Sequence, residues 1–138
     1  MSIEAELHKA SEQNYAAMNR MLHGDAAPLA DIWSHGAAVS TMHPIGGRQV
    51  GWENVRESFA QVAEIVSNGQ VALRDQIVNV AGDMACELGV EQGQFKPAGE
   101  QASIEHRVTK SIAARRPDGG WSISTPTFPD RCWMFPAE

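Results

Sequence analysis

The sequence predicts an α+β fold in which three N-terminal helices pack on a curved antiparallel sheet. In the first half of the chain, apolar residues recur at intervals of three and four, which is the spacing of one helical face. In the second half, long strand-like segments are separated by short turns, and such strands pair antiparallel. A chain of 138 residues without an internal repeat or linker suits one domain, which we place over 1–138.

The three predicted helices follow from apolar spacing and from their end signals. The first covers residues 2–23, and its inward positions are Leu7, Ser11, Tyr15, Met18 and Leu22. The second is short, begins after Asp25 as a capping residue and ends near Trp33. The third begins at about Trp52 and has the most regular apolar face of the chain, formed by Trp52, Val55, Phe59, Val62 and Val66.

The predicted strands begin with a short alternating segment over 37–44, which Pro44 ends because proline cannot donate to a strand ladder. The next residues, IGGRQVG, are predicted to be a loop. Longer strands follow over 70–81, 84–95 and 102–115, and the last strand begins at Trp121. In the second long strand, four apolar residues form one face and two glutamates lie on the other, namely Met84, Cys86, Leu88 and Val90 against Glu87 and Glu91.

Composition and charge restrict the classes of partner. The formal net charge is −6, and the only basic doublet lies beside a predicted turn, so nucleic acid is not an expected partner. The first ten residues do not resemble a signal peptide, and no apolar stretch is long enough to cross a membrane. Cys86 and Cys132 could pair, but a single pair is not a disulfide scaffold. We therefore expect a reduced, cytoplasmic protein.

Two segments, HPIGGRQVGW at 43–52 and RRPDGGW at 115–121, are similar to motifs of a known family. Together with the order of the elements, the chain resembles the SnoaL-like branch of the NTF2-like superfamily, which includes ketosteroid isomerases and polyketide cyclases. The resemblance covers residues 5–125. It implies a cone-shaped α+β barrel, often a homodimer through the sheet, with an apolar pocket beside the first helix. Residues 126–138 are then an apolar, proline-rich C-terminal tail.

The resemblance carries only part of the ketosteroid isomerase site. In that family the catalytic base is an aspartate immediately before a proline at the end of the first strand, and His43 holds this place here. The family's oxyanion-hole tyrosine falls on Ala17, so Tyr15 is out of register by two residues. The second oxyanion acid falls on either Glu105 or His106, and a shift of one residue changes the face of the strand. The isomerase activity is therefore not transferred.

Three residues are predicted as catalytic candidates: His43, His106 and Tyr15. An imidazole can take or give a proton near neutral pH, which suits His43 as a base, although it could equally bond a neighbouring turn. His106 interrupts an apolar strand face, as does Lys110, and a buried polar group without a partner costs about 1–3 kcal/mol. Each therefore lies at a cavity or has a partner, unless this face opens to solvent. Tyr15 could donate into the pocket or be an ordinary core residue.

The predicted ligand-binding residues are those whose large side chains share the inward faces, and sequence cannot separate pocket wall from core for them. They are Met18, Trp33, Trp52, Phe59, Lys110 and Trp121. Arg48 follows two glycines and could hold an anion, but a structural turn is the simpler interpretation. The spacing of histidines and cysteines predicts no metal site, and no cofactor is expected.

Two functions from different classes remain open at this point. The first is a pocket protein with acid–base chemistry on a small apolar carbonyl compound, as an isomerase, cyclase or lyase with a histidine base. The alternative is a non-catalytic protein that binds a ligand or forms a dimeric interaction on the same fold. A hydrolase with paired carboxylates is a third possibility, but the sequence shows no convincing inward pair. The expected partners are a small apolar molecule and a second copy of the chain.

Overall fold

The computed structural model describes residues 2–42, 48–115 and 122–123. Two α-helices, one 3-10 helix and six strands are present in this part of the chain. In order they are α1 (Ile3–Met21), the 3-10 helix Ala27–Asp31, β1 (Ser40–Met42), β2 (Arg48–Val50), α2 (Trp52–Ile65), β3 (Val66–Ala81), β4 (Met84–Pro97), β5 (Ile104–Arg115) and β6 (Ser122–Ile123).

The strands form two antiparallel sheets. β3, β4, β5 and β6 pair in chain order, and β1 pairs with β2 in a separate two-stranded sheet. Pairing in chain order is what short turns between long strands allow. The α+β class and the antiparallel sheet predicted from the sequence are thus confirmed.

The prediction of three helices is not confirmed, because the segment after Asp25 forms only a short 3-10 helix. The N-cap residue is Ala26 and not the predicted Asp25, although Oδ1 of Asp25 accepts a hydrogen bond of 3.1 Å from the amide of Ala27. The helix nevertheless ends after five residues, Ala27–Asp31, with a proline in its first turn. So short a segment favours 3-10 geometry over a stable α-helix.

The region between the two α-helices also differs from the prediction. Of the strand predicted over 37–44, residues 37–39 are not in a strand and Ser40–Met42 are, and Arg48–Val50 is a second strand where a loop was predicted. The two pair antiparallel, with Ser40 opposite Val50. Strands of three residues are too short for a periodic pattern, so they are specified by their pairing and packing. The residues between them, 43–47, lie outside the described part.

The core lies between α1, α2 and the inner face of the large sheet. The predicted apolar face of α2 is buried from Trp52 to Val62. Trp33 packs against Phe59 edge to face, with ring centroids 5.1 Å apart and an interplanar angle of 71°. The Trp33 indole also donates a hydrogen bond of 3.1 Å to the Asn14 side chain on α1, which satisfies both buried polar groups. Within the described residues, no helix is long and apolar enough to cross a membrane.

β3 is bent at two irregularities in its pairing with β4, one between Ser67 and Gln70 and one between Arg74 and Ile77. Each contains a residue with positive φ, Asn68 at 51° and Asp75 at 53°. Asn and Asp tolerate this left-handed conformation better than other residues with side chains. Bulges of this kind increase the local twist and bend the strand, so β3 curves around the inner face of the sheet.

α1 is fixed to the bent part of β3 by the side-chain amide of Asn19. Its Oδ1 accepts a hydrogen bond of 2.8 Å from the Val71 amide, and its Nδ2 donates one of 3.2 Å to the Val71 carbonyl. The amide therefore binds Val71 in the way that a neighbouring strand would, and it satisfies two backbone groups at the same residue.

We expect Asn19→Ala to lower the free energy of unfolding by about 1–3 kcal/mol, because both backbone groups of Val71 lose a partner in a part-buried position. Urea denaturation of the variant and the wild type measures the difference. Asn54→Ala is the matched control, since the Asn54 amide donates to the Val50 carbonyl at an exposed position. It should change stability by less than about 0.5 kcal/mol. Equal effects in the two variants would contradict a special role for Asn19.

Candidate functional site

Two carboxylates lie on the face of β4 that is turned towards α1. The Tyr15 hydroxyl on α1 donates a hydrogen bond of 2.9 Å to Oε2 of Glu91. Glu87, four residues earlier and therefore on the same face, forms a hydrogen bond with Ser11 one helical turn before Tyr15. The expectation that no inward pair of carboxylates exists was therefore wrong. The predicted alternation along β4 holds, but hydroxyl donors from α1 allow the glutamate face to turn inward.

Glu91 connects the first helix to the third long strand. Its Oε1 lies 2.8 Å from Nε2 of His106 on β5, while its Oε2 accepts from Tyr15. All three side chains are buried, with exposed fractions of 7% for Tyr15, 3% for Glu91 and 9% for His106. We call these three residues the Tyr15–Glu91–His106 chain.

The chemistry of the carboxylate assigns the protons of this chain. A carboxylate accepts hydrogen bonds and does not donate them, so Nε2 of His106 carries the hydrogen that faces Glu91. In a neutral imidazole ring the lone pair then lies on Nδ1. A histidine oriented by a carboxylate through one nitrogen, with the other nitrogen basic, is the arrangement of a general base.

In the Tyr15–Glu91–His106 chain, Tyr15 is a hydrogen-bond donor. Burial, the nearby charge of Glu91 and the hydrogen bond to that carboxylate raise the pKa of the Tyr15 phenol far above its ordinary value, and Glu87 adds to the effect. The phenol therefore stays protonated at all ordinary pH values. Its only hydroxyl proton is directed at Glu91, which fits a residue that holds the carboxylate in place.

Glu87 is a second acidic group on the same inner face. Its carboxylate accepts hydrogen bonds from Ser11 and from the Gln76 amide at the second bulge of β3. Burial raises the pKa of Glu87, and it outweighs the opposing effects of these two hydrogen bonds and of the charge of His8.

The raised pKa of Glu87 predicts a pH-dependent contribution to stability. Since the folded state holds the proton more tightly than the unfolded chain, the contribution is complete below the unfolded-state pKa of about 4.3 and is lost as pH rises through the folded-state pKa. Glu87→Gln mimics the protonated group, so its stability relative to the wild type should increase between about pH 4 and 7. Urea denaturation across this range measures the trend. Glu57→Gln, on the exposed side of α2, is the control, and the same trend in both variants would contradict the assignment.

The structure distinguishes Glu105 from His106, the two alternatives that the sequence left for the inward position on the late strand. His106 is buried and bonded to Glu91, whereas Glu105 is exposed on the opposite face of β5. Lys110 is paired with Gly89, the residue midway between the two inward glutamates, and its side chain lies outside the described part. The predictions for His43 and Trp121 also fall outside the described residues.

The predicted pocket-wall residues on the helices lie in or against the hydrophobic core. Trp33, Trp52 and Phe59 belong to the buried cluster, and Met18 packs against it from α1. Trp52 also stacks on the His35 ring, with centroids 4.3 Å apart and planes 8° from parallel. Arg48 is exposed on β2.

Sequence reasoning did not select Glu91 or Glu87 as functional residues. A usable signal is present in β4, where Glu87, Gly89, Glu91 and Gly93 share one face. Glycine inside a strand often indicates close approach of another backbone, and here atoms of the bent β3 lie where a Cβ of Gly89 or Gly93 would be. Among residues 2–42, 48–115 and 122–123, no three His, Cys, Asp or Glu side chains are grouped as metal ligands would be.

The arrangement of helices on a curved antiparallel sheet is that of the NTF2-like proteins, and solved structures share it. A proposed dehydratase of the NTF2-like family from Streptomyces avermitilis is 26% identical, with a TM-score of 0.74 over 87% of this chain and 89% of that one. An NTF2-like superfamily protein from Salmonella enterica serovar Typhimurium is 14% identical, with a TM-score of 0.77 over 91% and 94%. A ketosteroid isomerase-like protein from Erwinia carotovora atroseptica is 16% identical, with a TM-score of 0.71 over 87% and 89%.

Within this superfamily the chain belongs to the SnoaL-like domain family, whose model matches residues 9–125. The matched range includes α1 from residue 9 onwards, the whole of α2, the six described strands and every residue of the Tyr15–Glu91–His106 chain. No protein of curated function matches the chain in sequence.

Proposed function

We propose that this protein is an acid–base enzyme that removes a proton next to the carbonyl group of a small, largely apolar molecule. The sequence leaves three reaction classes open: isomerase, cyclase and lyase. Of these we favour a lyase that eliminates water from a β-hydroxy carbonyl compound. The Tyr15–Glu91–His106 chain is the observation that carries the proposal. The similarity to a proposed dehydratase from Streptomyces avermitilis supports this choice.

In the proposed reaction His106 acts first as base and then as acid. The basic nitrogen of its ring takes the proton from the α-carbon, and the electron pair of that C–H bond forms the new C=C bond. The C–O bond at the β-carbon breaks, and the leaving hydroxyl takes the same proton from the imidazolium to give water. Glu91 stabilises the imidazolium that exists between these transfers, which is the contribution of an orienting carboxylate.

Tyr15 is a positioning residue in this proposal. Because its hydroxyl proton is donated to Glu91, it fixes the carboxylate that fixes His106, and it does not itself polarise the substrate. The family position of His43 implies the catalytic base, a role that this proposal gives to His106, so we propose His43 as a second group at the carbonyl. The cone-shaped apolar pocket, the homodimer and the cytoplasmic location expected from the sequence belong to the same proposal.

The test is turnover of a panel of small β-hydroxy ketones, followed by the ultraviolet absorbance of the conjugated product. We expect His106→Asn to reduce kcat/KM by about 10²–10⁴-fold, which is the usual contribution of a general base. Tyr15→Phe should lower kcat by a smaller factor and shift the pH profile of the reaction, which a merely structural residue would not do. His23→Asn is the control, because this exposed histidine lies at the end of α1.

A non-catalytic protein that binds a ligand or a second copy remains the second candidate. The observation in its favour is that Tyr15 and His106 both direct a polar group at Glu91, as a network with a purely structural role would also do. Binding of the ketones without turnover by the wild type would favour this candidate. Full activity of His106→Asn would exclude His106 as the base.

A further inference from the structure

Cys86 on β4 is buried, although it lies on the outer face of the sheet. Glu87 and Glu91 point inward to α1, and successive residues of a strand point to opposite faces, so Cys86 points outward. The two α-helices pack on the inner face, yet only 2% of Cys86 is exposed. A further segment of the protein must therefore cover Cys86 on the outer face.

The state of the Cys86 sulfur indicates which segment this is, because Cys86 is disulfide-bonded. The sequence contains two cysteines, so Cys132 is the only partner that the same chain offers. Cys132 belongs to the C-terminal tail, residues 126–138, which lies outside the described part. A bonded Cys86 differs from the reduced state expected from the sequence, because the spacing of two distant cysteines does not show whether they meet.

The end of β6 lies close enough to Cys86 for this bond. Ile123 on β6 pairs with Ala114, and Cys86 on β4 pairs with Ala113, the preceding residue of β5. β6 and β4 are therefore two strand spacings apart, which is about 10 Å. The chain from Ile123 to Cys132 can span up to about 30 Å. The bond consequently requires no rearrangement of the strands.

Apolar side chains surround Cys86 on the outer face. Met84, Leu88 and Val90 point outward like Cys86 and are partly buried, and we call these three residues the outer patch. The tail supplies large apolar side chains on both sides of Cys132, namely Phe128, Trp133, Met134 and Phe135. Contact between two such surfaces removes both from water, which stabilises the covered state.

We propose that residues 126–138 form a strap over the outer face of the sheet, held in place by a disulfide between Cys86 and Cys132. The proposal is independent of the acid–base function proposed above, because that site lies on the inner face. A second copy that packs on the outer face, as in the proposed homodimer, meets the strap at this end of the sheet and not bare strands.

The disulfide makes the strap sensitive to redox conditions. Its formation removes one hydrogen atom from each thiol and joins the two sulfur atoms. The two electrons and two protons pass to an oxidant such as glutathione disulfide, which is thereby reduced to two thiols. In a reducing compartment the reverse exchange opens the bond. Only apolar contacts then hold the strap, so the outer patch becomes more exposed.

The first test is peptide mapping of the full chain after equilibration with glutathione disulfide and alkylation of any remaining thiols. Trypsin releases Cys86 in peptide 75–107, because the Lys96–Pro97 bond resists cleavage. It releases Cys132 in peptide 132–138. We expect these two peptides to be joined by a disulfide in protein of monomer mass.

The second test compares thermal unfolding of the wild type and Cys132→Ser. Without reductant we expect the variant to have a Tm lower by about 5–15 °C, because the disulfide restricts the unfolded chain. With reductant the two proteins should unfold at the same temperature. A dye that fluoresces on apolar surfaces should bind the oxidised wild type less than the variant. Thr127→Ser is the matched control, since it changes the tail and keeps both cysteines.

Three results would overturn the proposal. The first is alkylation of both cysteines after equilibration with glutathione disulfide, which would exclude the bond. The second is linkage of peptides 75–107 and 132–138 only in protein of dimer mass, which would place the bond between two copies. The third is equal Tm and equal dye fluorescence of the oxidised wild type and Cys132→Ser, which would show that the bond does not hold the tail on the sheet.

Discussion

Glu91→Ala is expected to lower the free energy of unfolding by about 3–5 kcal/mol. Glu91 lies between Tyr15 and His106 and is almost completely buried, so its removal leaves a phenol and an imidazole without their partner inside the protein. A buried polar group that loses its partner retains the full cost of its removal from water. The loss is large because one substitution affects both neighbours.

Urea denaturation monitored by tryptophan fluorescence measures this loss. Glu105→Ala is the matched control, because Glu105 is an exposed glutamate on β5 next to His106 and should change stability by less than about 0.5 kcal/mol. Tyr15→Phe removes only one of the two bonds and should fall between them, at about 1–3 kcal/mol. If Glu91→Ala is about as stable as the wild type, the hydrogen bonds of the Tyr15–Glu91–His106 chain do not contribute to the stability of the fold.

Gly93→Ala is expected to have an effect of similar size for a different reason. A Cβ atom at this position would overlap the carbonyl of Gln70, and it would lie 2.7 Å from Cα of Val71. Both obstacles are backbone atoms of the bent part of β3, which cannot move aside as the end of a flexible side chain can. We expect a loss of about 3 kcal/mol or more, at the upper end of what overpacking costs.

The control for Gly93→Ala is Gly36→Ala. At Gly36 the nearest atom to an added Cβ is the Ala38 amide nitrogen at 4.0 Å, which is an ordinary contact. Thermal unfolding of the two variants should therefore show a marked decrease for position 93 and little change for position 36. If both variants unfold with the wild type, the close crossing of β3 over Gly93 is not maintained in solution.

The helices were predictable to the extent that their apolar faces were long. The 14 residues of α2 contain four apolar residues at helical spacing, and these predicted buried positions, from Trp52 to Val62, are confirmed. The segment Ala27–Asp31 offers a single turn, and the balance between α and 3-10 geometry over one turn depends on packing. The three-residue strands Ser40–Met42 and Arg48–Val50 contain no period at all, so only their partners specify them.

The candidate site was predictable in its histidine but not in its carboxylate. His106 interrupts an apolar face, which predicted a cavity, a partner or a face open to solvent, and the structure shows a buried partner, Glu91. Glu91 was part of a regular alternation, and alternation alone does not say which face is inward. The hydroxyl of Tyr15 decides it, and the contact between Tyr15 and Glu91 joins residues 76 positions apart in the chain.

That separation has a consequence for how the protein acquires its site. A contact across 76 residues can form only after the intervening chain has been closed into a loop, which is entropically costly and slow compared with the formation of a helix. The partner on β5 comes later still, 15 residues beyond Glu91. The three side chains therefore meet only when the first helix and the late strands are assembled together. The site therefore exists only in the completely folded protein. A partly folded protein with an intact first helix would not contain it.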